Sequence, residues 1–225
     1  MTSTARSPTC GGGGLGYHLG MMSFIDGLYR KLRFGKPIIV VSGLPRSGTS
    51  MAMKMLEAGG VPIVTDGKRT ADESNPKGYY EFEPVMRLHE DPDKRWLTDV
   101  RGKAVKIISF LLPSLPEAHH YKVVFMHRDL REVMASQSKM LAKRGEEPGA
   151  NADGDTLIAS YRKDVEKTKR LLARRPCFDV LDVDYKAVLE DAAGEAARIA
   201  AFIGGLDADA MEAVVDQQLY RNRRS

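Results

Sequence analysis

The chain has 225 residues, and 34 Lys and Arg against 30 Asp and Glu leave a formal net charge of only +4. That length suits one domain with a single substantial core and is short for two, while the near balance of charge excludes the basic stripe of a nucleic-acid binder and leaves room for a local anion site. The only two cysteines, Cys10 and Cys177, lie far apart, the first in a glycine-rich tail, which fits a reducing compartment, and with no apolar run of membrane-spanning length and no secretory leader a cytoplasmic protein is expected.

Residues 1–20 contain Gly11-Gly12-Gly13-Gly14 and too little apolar surface to offset the entropy of ordering, so they are expected to be a disordered tail. In residues 21–36, Phe24, Ile25, Leu28 and Leu32 share one helical face with Arg30, Lys31 and Arg33 elsewhere, which predicts a short amphipathic helix that packs on the domain or makes a weak membrane-surface contact. From residue 37 to 225 the pattern is one domain of alternating strands and helices. Strands are expected at Ile38 to Ser42, Val61 to Val64, Ala104 to Ile108, Lys122 to Met126 and Phe178 to Val183. Helices are expected from about Ser47 to Glu57, stopped by Gly59-Gly60, and from about Leu130 to Lys143, Thr156 to Arg174 and Gly194 to Ile203. Such alternation predicts an α/β fold with a parallel sheet flanked by helices on both faces, and ligands bind beyond the carboxyl ends of such strands.

Gly43-Leu44-Pro45-Arg46-Ser47-Gly48-Thr49-Ser50 falls between the first strand and its helix. It carries the two glycines of a P-loop, with Thr49 where that motif has lysine. A glycine turn feeding a helix points successive N–H groups at one spot, where the helix dipole also favours an anion. Arg46 adds a fixed charge, and Thr49 and Ser50 add hydroxyl donors.

This stretch, with Pro45, Arg46, Ser47, Gly48, Thr49 and Ser50, resembles the donor loop of the sulfotransferases that use 3'-phosphoadenosine 5'-phosphosulfate (PAPS). The resemblance implies a P-loop NTPase-like fold, PAPS as donor substrate and no metal. A second segment, Val123 to Ser136, resembles the family's 3'-phosphate grip, with Arg128 at a strand end and Ser136 eight residues later on a helix that Asp129 and Glu132 can cap. Taken alone, Arg128 and Ser136 also fit an ordinary surface pair. A third, Val183-Asp184-Tyr185 through Phe202-Ile203-Gly204, resembles the family's strand, tyrosine and late helix and equally fits core packing. Two departures stand out: Met51 occupies the place of an adenine-stacking tryptophan, and the glycine-rich basic segment near the end of cytosolic animal members is missing, with Tyr220, Arg221, Arg223 and Arg224 as a partial substitute for its charge.

The acceptor must lose a proton, so a base is needed. In Val105-Lys106-Ile107-Ile108 the animal enzymes' histidine position is Ile108, which leaves that mechanism behind. The stretch Asn75 to Glu83 resembles a bacterial Gly-aromatic-aromatic-Glu loop, making Glu81 the candidate base beside Tyr79 and Tyr80, with Glu83, Glu73 and His89 as alternatives. The loop from about Asp66 to Phe82 is expected to close over bound donor, with Gly67 and Gly78 as its hinges. Lys106 is a candidate sulfuryl contact, because a charge inside a strand calls for a partner or an anion. The acceptor is expected to be a hydroxyl or amine of a small molecule, saccharide or lipid, with no nucleic acid and no transmembrane segment, and a homodimer fits as well. Two other functions stay open: a P-loop kinase using the Asp182 and Asp184 carboxylates, and a nucleotide-binding protein that has lost catalysis.

Overall fold

A computed structural model of the chain describes residues 32–67, 80–143 and 154–216. The glycine tail, most of the N-terminal amphipathic helix, Glu73, Gly78, Tyr79 and the basic residues from Tyr220 onward lie outside the described residues. Four strands, β1 (Ile38–Gly43), β2 (Ala104–Lys106), β3 (Tyr121–His127) and β4 (Phe178–Asp184), form one parallel sheet in the order β2-β1-β3-β4. All six residues of β1 are buried, as an apolar, β-branched run paired on both edges and covered on both faces requires.

The helices are α1 (Thr49–Ala58), α2 (Glu83–Met86), α3 (Trp96–Asp99), α4 (Leu130–Lys143), α5 (Gly154–Arg174), α6 (Tyr185–Glu190), α7 (Ala192–Ile203) and α8 (Ala208–Ala213), with a 3-10 helix at Ser109–Ser114. Strand alternation sends Val41, Val124, Met126 and Val183 into a core shared with α1, α6, α7 and α8. It sends Val40, Val105, Val123 and Phe125 into a second core shared with α2, α3, the 3-10 helix and α5. The α/β sheet with helices on both faces is therefore as expected. Among the described residues no helix is long and apolar enough to cross a membrane.

Several boundaries differ from the expected ones. Val61 to Val64 reduces to a single parallel bridge, Ile63 to Ala104, held by Ala104 N donating to Pro62 O and Val64 N to Ala104 O, each at 2.8 Å. Pro62 has no N–H to extend the ladder. β2 ends at Lys106, and Ile108 turns the chain into the 3-10 helix. α1 starts at Thr49, because Gly48, at φ 99°, belongs to the loop. α6 and α8 are additional, each opened by an aspartate cap: Asp184 accepts from Lys186 N at 2.8 Å and Ala187 N at 3.1 Å, and Asp207 accepts from Ala210 N at 3.0 Å.

Candidate functional site

The loop between β1 and α1 is shaped by two close approaches. Gly43 has φ 143°, and a Cβ there would lie 2.5 Å from Ser47 Oγ and 2.6 Å from the Met126 carbonyl oxygen. At Gly48, φ 99°, a Cβ would lie 2.4 Å from the Tyr185 ring. Only glycine fits either place. Between them Arg46 takes φ 71°, a left-handed conformation that costs a non-glycine residue roughly 1–3 kcal/mol and is seen where surroundings impose it. α1 opens without a capping side chain, so its first N–H groups and dipole face the loop's concavity at the carboxyl edge of the sheet. Ser47 Oγ and, on the adjoining end of β1, Ser42 Oγ are buried without a hydrogen-bond partner among the described residues.

The two motifs meet here. Arg46 Nε donates to Ser136 Oγ at 3.0 Å, and Arg128 Nη1 donates to the Arg46 carbonyl oxygen at 3.3 Å. The Arg128 guanidinium lies 4.4 Å from the centre of the Tyr185 ring, a cation–π contact, and its Nε donates to Glu132 Oε2 at 3.0 Å. Asp129 caps α4, accepting from Arg131 N at 2.9 Å and Glu132 N at 3.3 Å. Glu132 thus pairs with Arg128, and Asp129 supplies the cap. Burial pushes the Tyr185 hydroxyl up despite the nearby Arg128. The Arg128, Glu132, Arg46 and Asp216 charges all act on the Tyr185 hydroxyl, and the two guanidiniums among them are groups of the kind that bind phosphate.

Lys106 is the half-buried last residue of β2, paired in register with Val41, so it stands at the strand's carboxyl end rather than mid-strand. The bridge at Ile63 directs Thr65 and Asp66 toward that same end, and both hold the Glu81 carbonyl: Asp66 N at 3.1 Å and Thr65 Oγ1 at 3.0 Å. Tyr80 turns away from this edge. Its hydroxyl donates to Glu57 Oε2 at 2.8 Å near the far end of α1, burial pushes that hydroxyl above its ordinary range, and the ring packs on the first core. Glu83 is exposed at the start of α2, 3.8 Å from Arg87, and His89 is exposed, 3.2 Å from Glu90. Met51 is half-buried against the first core.

Asp182, one of the two carboxylates a kinase reading would use, accepts from His127 Nε2 at 2.6 Å and Lys169 Nζ at 2.9 Å, and Asp184, the other, is the α6 cap. Burial raises the Asp182 carboxyl, and the hydrogen bonds from His127 and Lys169 more than reverse this, leaving it low. His127 escaped the sequence reading. It stands beside Arg128 within the recognised segment, but its partner lies on another strand, 55 residues away.

The sequence model of the sulfotransferase family matches residues 79–209, more than half of the chain, beginning after the loop between β1 and α1. A solved structure, that of sulfotransferase STF1 from Mycobacterium tuberculosis, is similar over 87% of this chain and 75% of its own, at 14% identity and TM-score 0.49. No curated protein matches. On the family match, the chain belongs to the sulfotransferase family.

Proposed function

We propose that this sulfotransferase takes its sulfuryl group from PAPS and passes it to a hydroxyl or amine of a small molecule, saccharide or lipid. The reading is carried by one observation, the Arg46–Ser136 hydrogen bond at 3.0 Å that joins the phosphate loop to the Arg128 segment. Two cationic phosphate sites in contact suit a nucleotide phosphorylated at both 3' and 5' positions better than a monophosphate. The N–H groups at the start of α1, with Arg46, Ser47, Thr49 and Ser50, would hold the 5'-phosphosulfate, and Arg128 with Ser136 the 3'-phosphate.

In the transfer, the acceptor oxygen or nitrogen forms a bond to sulfur, the bond from sulfur to the 5'-phosphate oxygen breaks, and adenosine 3',5'-bisphosphate leaves with the electron pair. Arg46 would balance the charge gathering on that leaving phosphate, and Lys106 would face the sulfuryl oxygens from the next strand. Glu81, tethered near the Lys106 end of the sheet, is the sequence's candidate for the departing proton. Thr49 in the lysine position and the engagement of Asp182 and Asp184 elsewhere favour sulfuryl over phosphoryl transfer. The test is to incubate the full chain with PAPS and a panel of phenols, alcohols, amines and saccharides and to follow release of the bisphosphate with gain of SO3 by mass spectrometry. Gain of SO3 on one class with matched release is expected; donor binding with no transfer to any class would favour the inactive nucleotide-binding reading.

A further inference from the structure

Lys36 and Pro37 lead into β1, and Lys103 leads into β2. The two strands pair in parallel, so both lysines stand at the amino edge of the sheet, the edge opposite the β1–α1 loop, and both are exposed. Backbone hydrogen bonds tie this edge together: Gly102 N donates to Pro37 O at 2.9 Å, and Ile39 N to Lys103 O at 3.0 Å. Side chains lie close over its two turns, since a Cβ at Gly35 would be 3.8 Å from Arg101 Nη1 and one at Gly102 would be 3.0 Å from Lys36 Cδ.

The chain enters this edge through residues 32–34, which are helical. Among the described residues Leu32 is the most exposed large apolar side chain, at 79%. At helical spacing it falls in line with Leu28, Ile25 and Phe24, so the apolar stripe that a helix packed on the domain would cover ends on a leucine open to solvent. Residues 21–36 and 99–103 also gather the charge. They hold Arg30, Lys31, Arg33, Lys36, Arg101 and Lys103 against Asp26 and Asp99, an excess that equals the whole chain's formal +4. The rest of the chain is therefore neutral in sum, and the positive charge belongs to this edge and the segment leading into it.

We infer that this edge is a docking surface for an anionic lipid bilayer, with the apolar stripe that ends at Leu32 lying at the headgroup boundary and Lys36, Arg101 and Lys103 facing the acidic headgroups. An apolar stripe beside clustered cations supplies the two signals, burial and charge, that membrane-surface binding needs. A second copy of the chain would bring the same positive charge to the contact, which disfavours a symmetric dimer through this edge. The six residues of β1 span about 20 Å, so a docked chain holds its β1–α1 loop about that far from the lipid, open to water. The inference is independent of the donor and acceptor readings.

The test is co-sedimentation of the full chain with vesicles of phosphatidylcholine alone and of phosphatidylcholine mixed with phosphatidylserine, at low and high salt. Wild type should pellet with the anionic vesicles and not with the neutral ones, and salt should weaken the binding. Each cation near an anionic surface changes partitioning about fivefold, so Lys36→Gln with Lys103→Gln should lower it about twentyfold to thirtyfold. Leu28→Asp with Leu32→Asp should lower it at least about tenfold and leave the melting temperature at its wild-type value. Wild type that stays in the supernatant, that pellets equally with both vesicle types, or whose binding survives both double variants overturns the inference. A melting temperature lowered by several degrees in the leucine variant would place the stripe on the domain, and a light-scattering dimer that this variant dissolves would place it against a second copy; either result overturns the inference too.

Discussion

The guanidinium of Arg128 is 9% exposed and the Glu132 carboxylate it pairs with 8%, so deleting Arg128 alone would do two things at once. It would remove the proposed phosphate contact, and it would take the paired guanidinium from a buried carboxylate, which costs about 3–5 kcal/mol, a large part of a domain's typical stability of roughly 5–15 kcal/mol. The informative variant is therefore Arg128→Met with Glu132→Gln, which removes charge and counter-charge together and keeps volume. A charge-assisted contact contributes about 1.5–3 kcal/mol, so affinity for adenosine 3',5'-bisphosphate should fall about tenfold to a hundredfold. AMP, lacking the 3'-phosphate, should lose far less. Glu132→Gln alone removes the competing acceptor and should leave bisphosphate binding equal or tighter. Calorimetry at fixed low salt with both ligands reads the ratio directly, which matters because loss of the bond from Arg128 to the Arg46 carbonyl loosens the loop for either ligand. A double variant that keeps the wild-type ratio would refute Arg128 as the 3'-phosphate contact.

Gly48→Ala should destabilise by about 2–4 kcal/mol, from the positive φ and from a Cβ 2.4 Å from the Tyr185 ring; Tyr185→Leu in the same chain should recover part of the lost melting temperature, and no recovery would place the damage elsewhere. Arg46→Ala should slow single-turnover transfer more than it weakens PAPS binding, and Arg46→Gly, which relieves the φ 71° backbone, should show the same loss; wild-type rates in the glycine variant would remove the guanidinium from the chemistry. Burial, then the neighbouring Arg101, pushes the His119 imidazole below its ordinary value, and Arg101 Nε donates to its Nδ1 at 3.3 Å. The neutral ring is the folded form, so its stability contribution is complete above about pH 6.5 and is lost as pH falls through the lowered value. Urea unfolding from about pH 7.5 down to about pH 5 should therefore be less acid-sensitive in His119→Gln, and an unchanged pH slope would contradict this.

Local patterns in the sequence were enough to place β1, its loop and α4, since each depends on runs of neighbouring residues: the apolar stretch from Ile38, the glycines at 43 and 48, and the unbroken periodicity of Leu130–Lys143. The glycine spacing was legible as a tight turn from β1 into α1, although the reason for Gly48, the Tyr185 ring, comes from a strand end 137 residues later in the chain and appears only in space. Asp184 reads in sequence as one of two carboxylates open to a kinase, yet a helix follows it at once and it acts as a cap. The pairing of Arg46 with Ser136 spans 90 residues. His127 meets Asp182 only because β3 and β4 pair in parallel with His127 opposite Asp184, a register that neither strand's own pattern specifies. Tyr80 shows the opposite case, in which a residue beside the candidate base is drawn off by a tertiary partner, Glu57.

The central claim is donor recognition through two joined phosphate sites, and calorimetry on the unmodified chain tests it most directly, comparing adenosine 3',5'-bisphosphate and AMP in the presence of chelator with ATP in the presence of magnesium. The bisphosphate should bind without metal and at least about tenfold tighter than either alternative, one charge-assisted contact being worth that much. Equal affinity for AMP and the bisphosphate, or tighter binding of ATP with magnesium, would contradict it.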